Sequence, residues 1–108
     1  MNATRAERED VLEKSLASRI ERWRANGCTT VEVKSGYALE PRAEIRLLEL
    51  MRGAVQRVPG RVRRTALLLH ALPDEYRDRR DEYVREMAEQ VVGEIGRASC
   101  RERVCSVV

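Results

Sequence analysis

The sequence contains no phenylalanine, and aromatic residues make up only 4% of its 108 residues. The hydrophobic share is 43%, so any core must be built from aliphatic side chains. No apolar run approaches the roughly 20 residues that a transmembrane helix needs. The segment after Met1 also lacks the apolar stretch of a secretory signal. We therefore expect a cytoplasmic protein with no membrane partner.

The chain also lacks an excess of one sign of charge, although charged residues are abundant at 36%. Lysine and arginine number 21 against 18 acidic residues, which leaves a net charge of +3. The two signs alternate along the chain, as in residues 5–10 and 78–82. Interleaved charges are typical of solvated helix faces, whereas a nucleic-acid surface presents a clustered basic stripe. We predict no nucleic-acid partner.

Residues that ligate metals or act as nucleophiles are few. The three cysteines, Cys28, Cys100 and Cys105, have no C-x-x-C spacing, and His70 is the only histidine. Catalytic zinc needs about three protein ligands, so the sequence contains no metal site of its own. It also lacks a glycine-rich phosphate loop and the G-x-S-x-G pattern of a nucleophile elbow.

Hydrophobic periodicity predicts an α/β protein with the order α-β-α-β-α and parallel strands. The first helix covers 7–26, opened by a capping box of Thr4 with Glu7 and ended by Gly27. Its apolar stripe is formed by Leu12, Leu16, Ile20 and Trp23.

The remaining elements follow without a break. A β-branched strand covers 29–34, and a helix runs from Pro41 to about Val58. A second strand is expected to start near Val62 and to be centred on Leu67–Leu69, because three leucines suit a strand buried on both faces. The last helix covers about 81–92 and is closed by Gly93. Its buried face is expected to carry Tyr83, Val84, Met87 and Val91.

Two polar side chains stand where the predicted strands end. Tyr37 follows the first strand and His70 the second. Each could contact a ligand through a hydrogen bond, or could be a structural residue at a strand end. Glu32 and Lys34 lie two residues apart on one strand face, either as a site pair or as a surface pair.

The segment 94–108 has neither helical nor strand periodicity. Eleven consecutive residues, 94–104, resemble the translation of a sequencing adapter. We predict that 1–93 is the folded part and that 94–108 is a disordered, artefactual tail.

Taken together, the two strand segments resemble a known family. Residues 27–37 are similar to the G-x-TT-x-E-x-KSGYG strand of the imidazolonepropionases, and 70–76 are similar to their AHALPPEY segment. Residues 80–84 and the helix with Glu44 also fit. The resemblance covers roughly residues 8–92.

The resemblance implies a distorted (β/α)8 TIM barrel of the amidohydrolase type, of which residues 1–93 would be a partial slice. Such enzymes use zinc or iron to activate the water that opens the ring of 4-imidazolone-5-propanoate, giving N-formimidoyl-L-glutamate in histidine degradation. Tyr37 and His70 would bind this substrate. The whole enzyme could be a homodimer.

The sequence also departs from the family pattern. Ala38 stands where the family has glycine, and the run before His70 lacks the usual small residue. A one-residue change there would move side chains to the other strand face, so the direction of His70 stays open. The family's metal ligands have no counterpart in the sequence, so we expect this chain alone to bind no metal and to be inactive. The alternative is a small helical α/β module that binds a partner, with Tyr37 and His70 as packing residues.

Overall fold

The computed structural model describes residues 2–98. Its helices are α1 (Asn2–Ala6), α2 (Glu9–Ala25), α3 (Pro41–Gln56), α4 (Arg80–Glu86) and α5 (Gly93–Ala98), and its strands are β1 (Thr30–Lys34) and β2 (Arg61–Thr65). A 3-10 turn covers Asp74–Tyr76, and a π-helical stretch, Met87–Val92, joins α4 to α5. None of the helices in this range combines the length and the apolarity that crossing a membrane requires.

The two strands form one parallel sheet, with α3 as the crossover between them. The register runs from Thr30 opposite Arg61 to Lys34 opposite Thr65. This confirms the predicted mixture of helices with two parallel strands. A closed (β/α)8 barrel stays a prediction, because two strands define only part of a sheet.

Helices α2 and α3 cover one face of this sheet. The core there consists of Ile20, Val33, Met51 and Val58. Helix α3 begins cleanly because Pro41 occupies its first turn, while the Glu40 carboxylate accepts hydrogen bonds from the amides of Arg42 and Ala43.

The predicted stripe on α2 is wrong at Trp23, which is 60% exposed, whereas Ile20 is 1% exposed. The buried face of α2 is rotated towards Glu13 and Arg24. Because these residues are charged, a hydrophobicity pattern does not assign them to the buried face. Glu13 pairs with Arg57 and is mostly buried, and the Arg24 guanidinium lies against Gly60. Long charged side chains can thus line a helix interface along their aliphatic stems.

The start of α2 also differs from the prediction, whereas its end agrees. Thr4 lies inside α1, and α2 begins after Arg8 without a side-chain cap, so the capping box is wrong. Gly27 follows the helix with φ of +93°, as predicted for a left-handed residue that ends a helix.

The leucine run is not the centre of the second strand. Strand β2 ends at Thr65, opposite the last residue of β1, so the chain beyond it has no strand to pair with. Leu68 instead packs with Tyr83 and Met87 in a second core cluster, and Leu69 takes a φ of +60°. Leu68 is therefore buried, as the pattern indicated, but against the helix that carries Tyr83 and Met87 and not within a sheet.

The last helix confirms three of the four predicted buried residues and contradicts its predicted end. Tyr83, Met87 and Val91 are buried, while Val84 is 43% exposed. Gly93 does not close the helix, which continues to Ala98 because Ile95 packs against the same cluster. Residues 99–108 of the predicted tail lie outside the described residues, and its origin stays a prediction.

Candidate functional site

The carboxyl ends of the two strands are joined by Ser35, which is fully buried. Its amide donates to the carbonyl of Thr65 at 2.9 Å. Its Oγ accepts a hydrogen bond from the amide of Leu67 at 3.3 Å. The chain segments leaving β1 and β2 are therefore held side by side at one edge of the sheet.

Gly36 brings the histidine to this edge. A Cβ built on Gly36 would lie 2.8 Å from Cε1 and 3.1 Å from Nδ1 of His70, and 2.6 Å from the carbonyl oxygen of Leu67. The imidazole therefore occupies the space that a side chain at position 36 would need. The φ of Gly36 is +110°, a conformation that L-residues rarely adopt. Only glycine satisfies both conditions.

Tyr37 follows Gly36 directly and is 54% exposed. His70 is exposed as well. The structure thus brings the two residues singled out in the sequence to neighbouring positions at the strand ends, with both side chains open to solvent. Phenol and imidazole can both donate and accept hydrogen bonds, so this edge can contact a polar ligand.

The loop that carries Tyr37, residues 36–39, is held by Glu44. The Glu44 carboxylate is completely buried and accepts three backbone hydrogen bonds, from Gly36 at 3.0 Å, Ala38 at 2.8 Å and Leu39 at 2.9 Å. A buried charge is expensive unless it is well hydrogen-bonded. Three amide donors supply that compensation.

Tyr83 of α4 supports the same loop, and Tyr76 of the 3-10 turn packs against the Tyr83 ring. The Tyr83 hydroxyl donates to the carbonyl of Leu39 at 2.8 Å, and its ring lies 5.0 Å from that of Tyr76. Burial, with a smaller contribution from the Glu44 charge, raises the pKa of Tyr83 to about 12. The pKa of Tyr76 is also raised to about 12, chiefly because its hydroxyl donates to Glu86 at 2.6 Å.

The polar pair on β1 is a surface pair. Lys34 Nζ lies 3.7 Å from Glu32 Oε2, and both side chains are about half exposed. The other Glu32 oxygen accepts a hydrogen bond from Thr65 Oγ1 at 2.6 Å across the sheet. These contacts account for both charges without a ligand.

Within residues 2–98, no group of three or more histidine, cysteine, aspartate or glutamate side chains is arranged to hold a metal ion. His70 lies against Gly36 and belongs to no such group. The described residues therefore do not fit a metal centre by themselves.

Sequence reasoning noticed Glu44 only as a matching position and missed its contacts. A signal was available, because Glu44 falls between Pro41 and Met51 on the buried stripe of α3. A carboxylate at such a position needs donors, and the irregular loop just before the helix is the nearest source of free amides.

Curated relatives match this chain over most of its length, whereas no family model matches it. It is 40% identical over 92 residues to the imidazolonepropionase of Pseudomonas entomophila, covering 85% of the chain and 23% of that protein. It is 44% identical over 84 residues to that of Pseudomonas fluorescens, covering 78% and 21%. For the Aeromonas salmonicida imidazolonepropionase the identity is 36% over 104 residues, covering 96% and 25%.

The chain is similar to one segment of the imidazolonepropionases. It spans only about a quarter of the length of these curated relatives. The resemblance seen in the strand motifs is therefore confirmed, over a stretch of this chain that includes Tyr37, Glu44 and His70.

Proposed function

We propose that this chain forms the part of an imidazolonepropionase that contacts the ring of 4-imidazolone-5-propanoate, through Tyr37 and His70. The observation that carries the proposal is that the His70 imidazole lies against Gly36, the residue that precedes Tyr37. In α/β barrels, substrate-contacting residues come from the carboxyl ends of the strands. Tyr37 follows the end of β1 by three residues, and His70, five residues beyond the end of β2, lies at the same edge of the sheet against Gly36.

The chemistry of the two side chains suits this substrate. When water adds to the cyclic amidine-like ring and a ring C–N bond breaks, charge develops on the ring heteroatoms. A phenol O–H and an imidazole N–H can stabilise that charge by hydrogen bonds. Of the His70 ring atoms, Cε1 and Nδ1 lie nearest the position of a Gly36 Cβ.

Zinc or iron would supply the activated water in the whole enzyme. The described residues do not fit a metal centre, so our proposal for this chain concerns substrate contact alone. We expect the purified chain with stoichiometric zinc not to open the ring. Metal-dependent loss of 4-imidazolone-5-propanoate by the purified chain would contradict this.

The partner-binding module is disfavoured by exposure. That alternative requires Tyr37 and His70 to be packing residues, but Tyr37 is 54% exposed and His70 is exposed too. Exposed polar side chains at a strand edge are available to a ligand, whereas packing residues would be covered.

A chimeric enzyme tests substrate contact directly. The matched 92-residue segment of the Pseudomonas entomophila enzyme would be replaced by that of this chain, and turnover of 4-imidazolone-5-propanoate measured. We expect Tyr37→Phe and His70→Asn each to lower kcat/KM by about tenfold or more, the value of one good hydrogen bond to a developing charge.

Tyr76→Phe is the matched control, because it removes a phenol hydroxyl that donates to Glu86 and not to the 36–39 loop. It should leave kcat/KM nearly unchanged. If Tyr37→Phe and His70→Asn behave like this control, the proposed function is wrong.

A further inference from the structure

The Tyr37 side chain has no hydrogen bond within residues 2–98, and more than half of its surface is exposed. Its place is therefore set by the backbone of the 36–39 loop. That backbone is irregular, with φ of +110° at Gly36 and +66° at Leu39. Glycine adopts such a φ freely, but a non-glycine residue such as Leu39 keeps these dihedral angles only where surrounding contacts impose them.

The contacts that impose them converge on one carboxylate. Glu44 Oε2 accepts the Gly36 amide, which precedes Tyr37, and Oε1 accepts the amides of Ala38 and Leu39, which follow it. The Glu44 side chain thus holds the loop on both sides of the tyrosine. On the far side, the Tyr83 hydroxyl fixes the carbonyl of Leu39.

We infer that Glu44 is a positioning residue that orients Tyr37 toward the substrate. This inference rests on the proposed function, since it requires Tyr37 to contact the ligand. Glu44 itself is completely buried beneath the loop and acts only through the loop backbone.

The substitution Glu44→Gln tests this with little change of shape. A glutamine has one acceptor oxygen, which can keep the two amides of Ala38 and Leu39, while its NH₂ group would face the Gly36 N–H. The substitution therefore removes the hydrogen bond from the Gly36 amide and keeps those from Ala38 and Leu39. We expect hydrogen exchange of the Gly36 amide in the full chain to become about tenfold faster, with smaller changes at Ala38 and Leu39.

In the chimeric enzyme, Glu44→Gln should lower kcat/KM about tenfold. Glu40→Gln is the matched control, because it makes the same change four residues earlier, at a carboxylate that accepts two amides of α3 and none of the loop. It should leave kcat/KM within about twofold. Should Glu44→Gln fail to fold, Tyr83→Phe removes the loop contact on the far side and is expected to lower kcat/KM in the same direction.

The decisive comparison uses a background without the Tyr37 hydroxyl. If Glu44 acts by orienting that hydroxyl, Glu44→Gln should change kcat/KM by less than about twofold when Tyr37 is already phenylalanine. An unchanged tenfold loss in that background would overturn the inference and leave Glu44 a purely structural residue. The proposed function would survive that result, whereas it would fail if neither Tyr37→Phe nor His70→Asn lowered kcat/KM.

Discussion

Replacing Gly36 by alanine should destabilise the chain more than the same change at Gly27 or Gly60, the other glycines with a positive φ among residues 2–98. Two costs add at this position. A left-handed backbone costs a non-glycine residue about 1–2 kcal/mol. The new Cβ would also lie 2.6 Å from the Leu67 carbonyl oxygen and 2.8 Å from His70 Cε1. Relieving such overpacking typically costs about 1–3 kcal/mol, so we expect a total of about 2–5 kcal/mol.

Two other glycines separate these costs. Gly27 has a φ of +93°, and a Cβ there would meet nothing within 4 Å, so Gly27→Ala carries the backbone cost alone. Gly60 has a φ of +106°, and its Cβ would meet the Arg24 side chain at 2.7 Å, which can move aside. The expected order of destabilisation is therefore Gly36→Ala, then Gly60→Ala, then Gly27→Ala.

Urea unfolding of the full chain, followed by circular dichroism, measures all three changes in the free energy of unfolding. Two parallel strands leave open edges, which favours low stability, so the series should be run with a stabilising osmolyte such as sucrose. If Gly36→Ala lowers the free energy of unfolding no more than Gly27→Ala does, then His70 and Leu67 do not lie in the space of a Gly36 Cβ. The described geometry of the strand ends would then be wrong.

Three further predictions concern the rest of the molecule. The pKa values of Tyr76 and Tyr83 are both raised to about 12. The folded state therefore favours the protonated phenols, and this contribution to stability is complete below about pH 10. We expect it to be lost between about pH 10 and 12. Tyrosinate absorbance alongside circular dichroism checks it, and ionisation of both without loss of structure would contradict it. Ile95→Ala should destabilise the chain by about 1 kcal/mol or more because Ile95 packs against the core, whereas the 43%-exposed Val92 tolerates alanine; equal urea midpoints would instead support a fold that ends near residue 93. Trp23, 60% exposed, should be quenched by acrylamide almost as well as free tryptophan, and strong protection would restore the predicted stripe.

The parts of the fold that follow from local signals were predictable. Three elements are specified by backbone preference alone. The β-branched run before Ser35 favours a strand, Pro41 favours the start of a helix, and Gly27 favours the end of one. The parallel pairing of β1 and β2 follows from the helix between them. For the same reason, Tyr37 and His70 could be expected at one sheet edge, since parallel strands end on the same side.

The parts that depend on partners far along the chain were not predictable. The leucine run looks like a buried strand, yet β2 ends at Thr65 because β1 offers no further residue to pair with. A hydrophobicity pattern records that the leucines are buried but not which element covers them. Likewise, the loop-holding role of Glu44 depends on the positive φ of Gly36 and Leu39, which no helix pattern encodes.

The most direct test of the central claim is a crystal structure of the chimeric enzyme with a non-hydrolysable analogue of 4-imidazolone-5-propanoate bound. We expect the Tyr37 hydroxyl and a ring nitrogen of His70 within hydrogen-bond distance of the ligand, with Glu44 still accepting hydrogen bonds from the amides of the 36–39 loop. A ligand seated away from the ends of β1 and β2, with both side chains facing solvent, would contradict it.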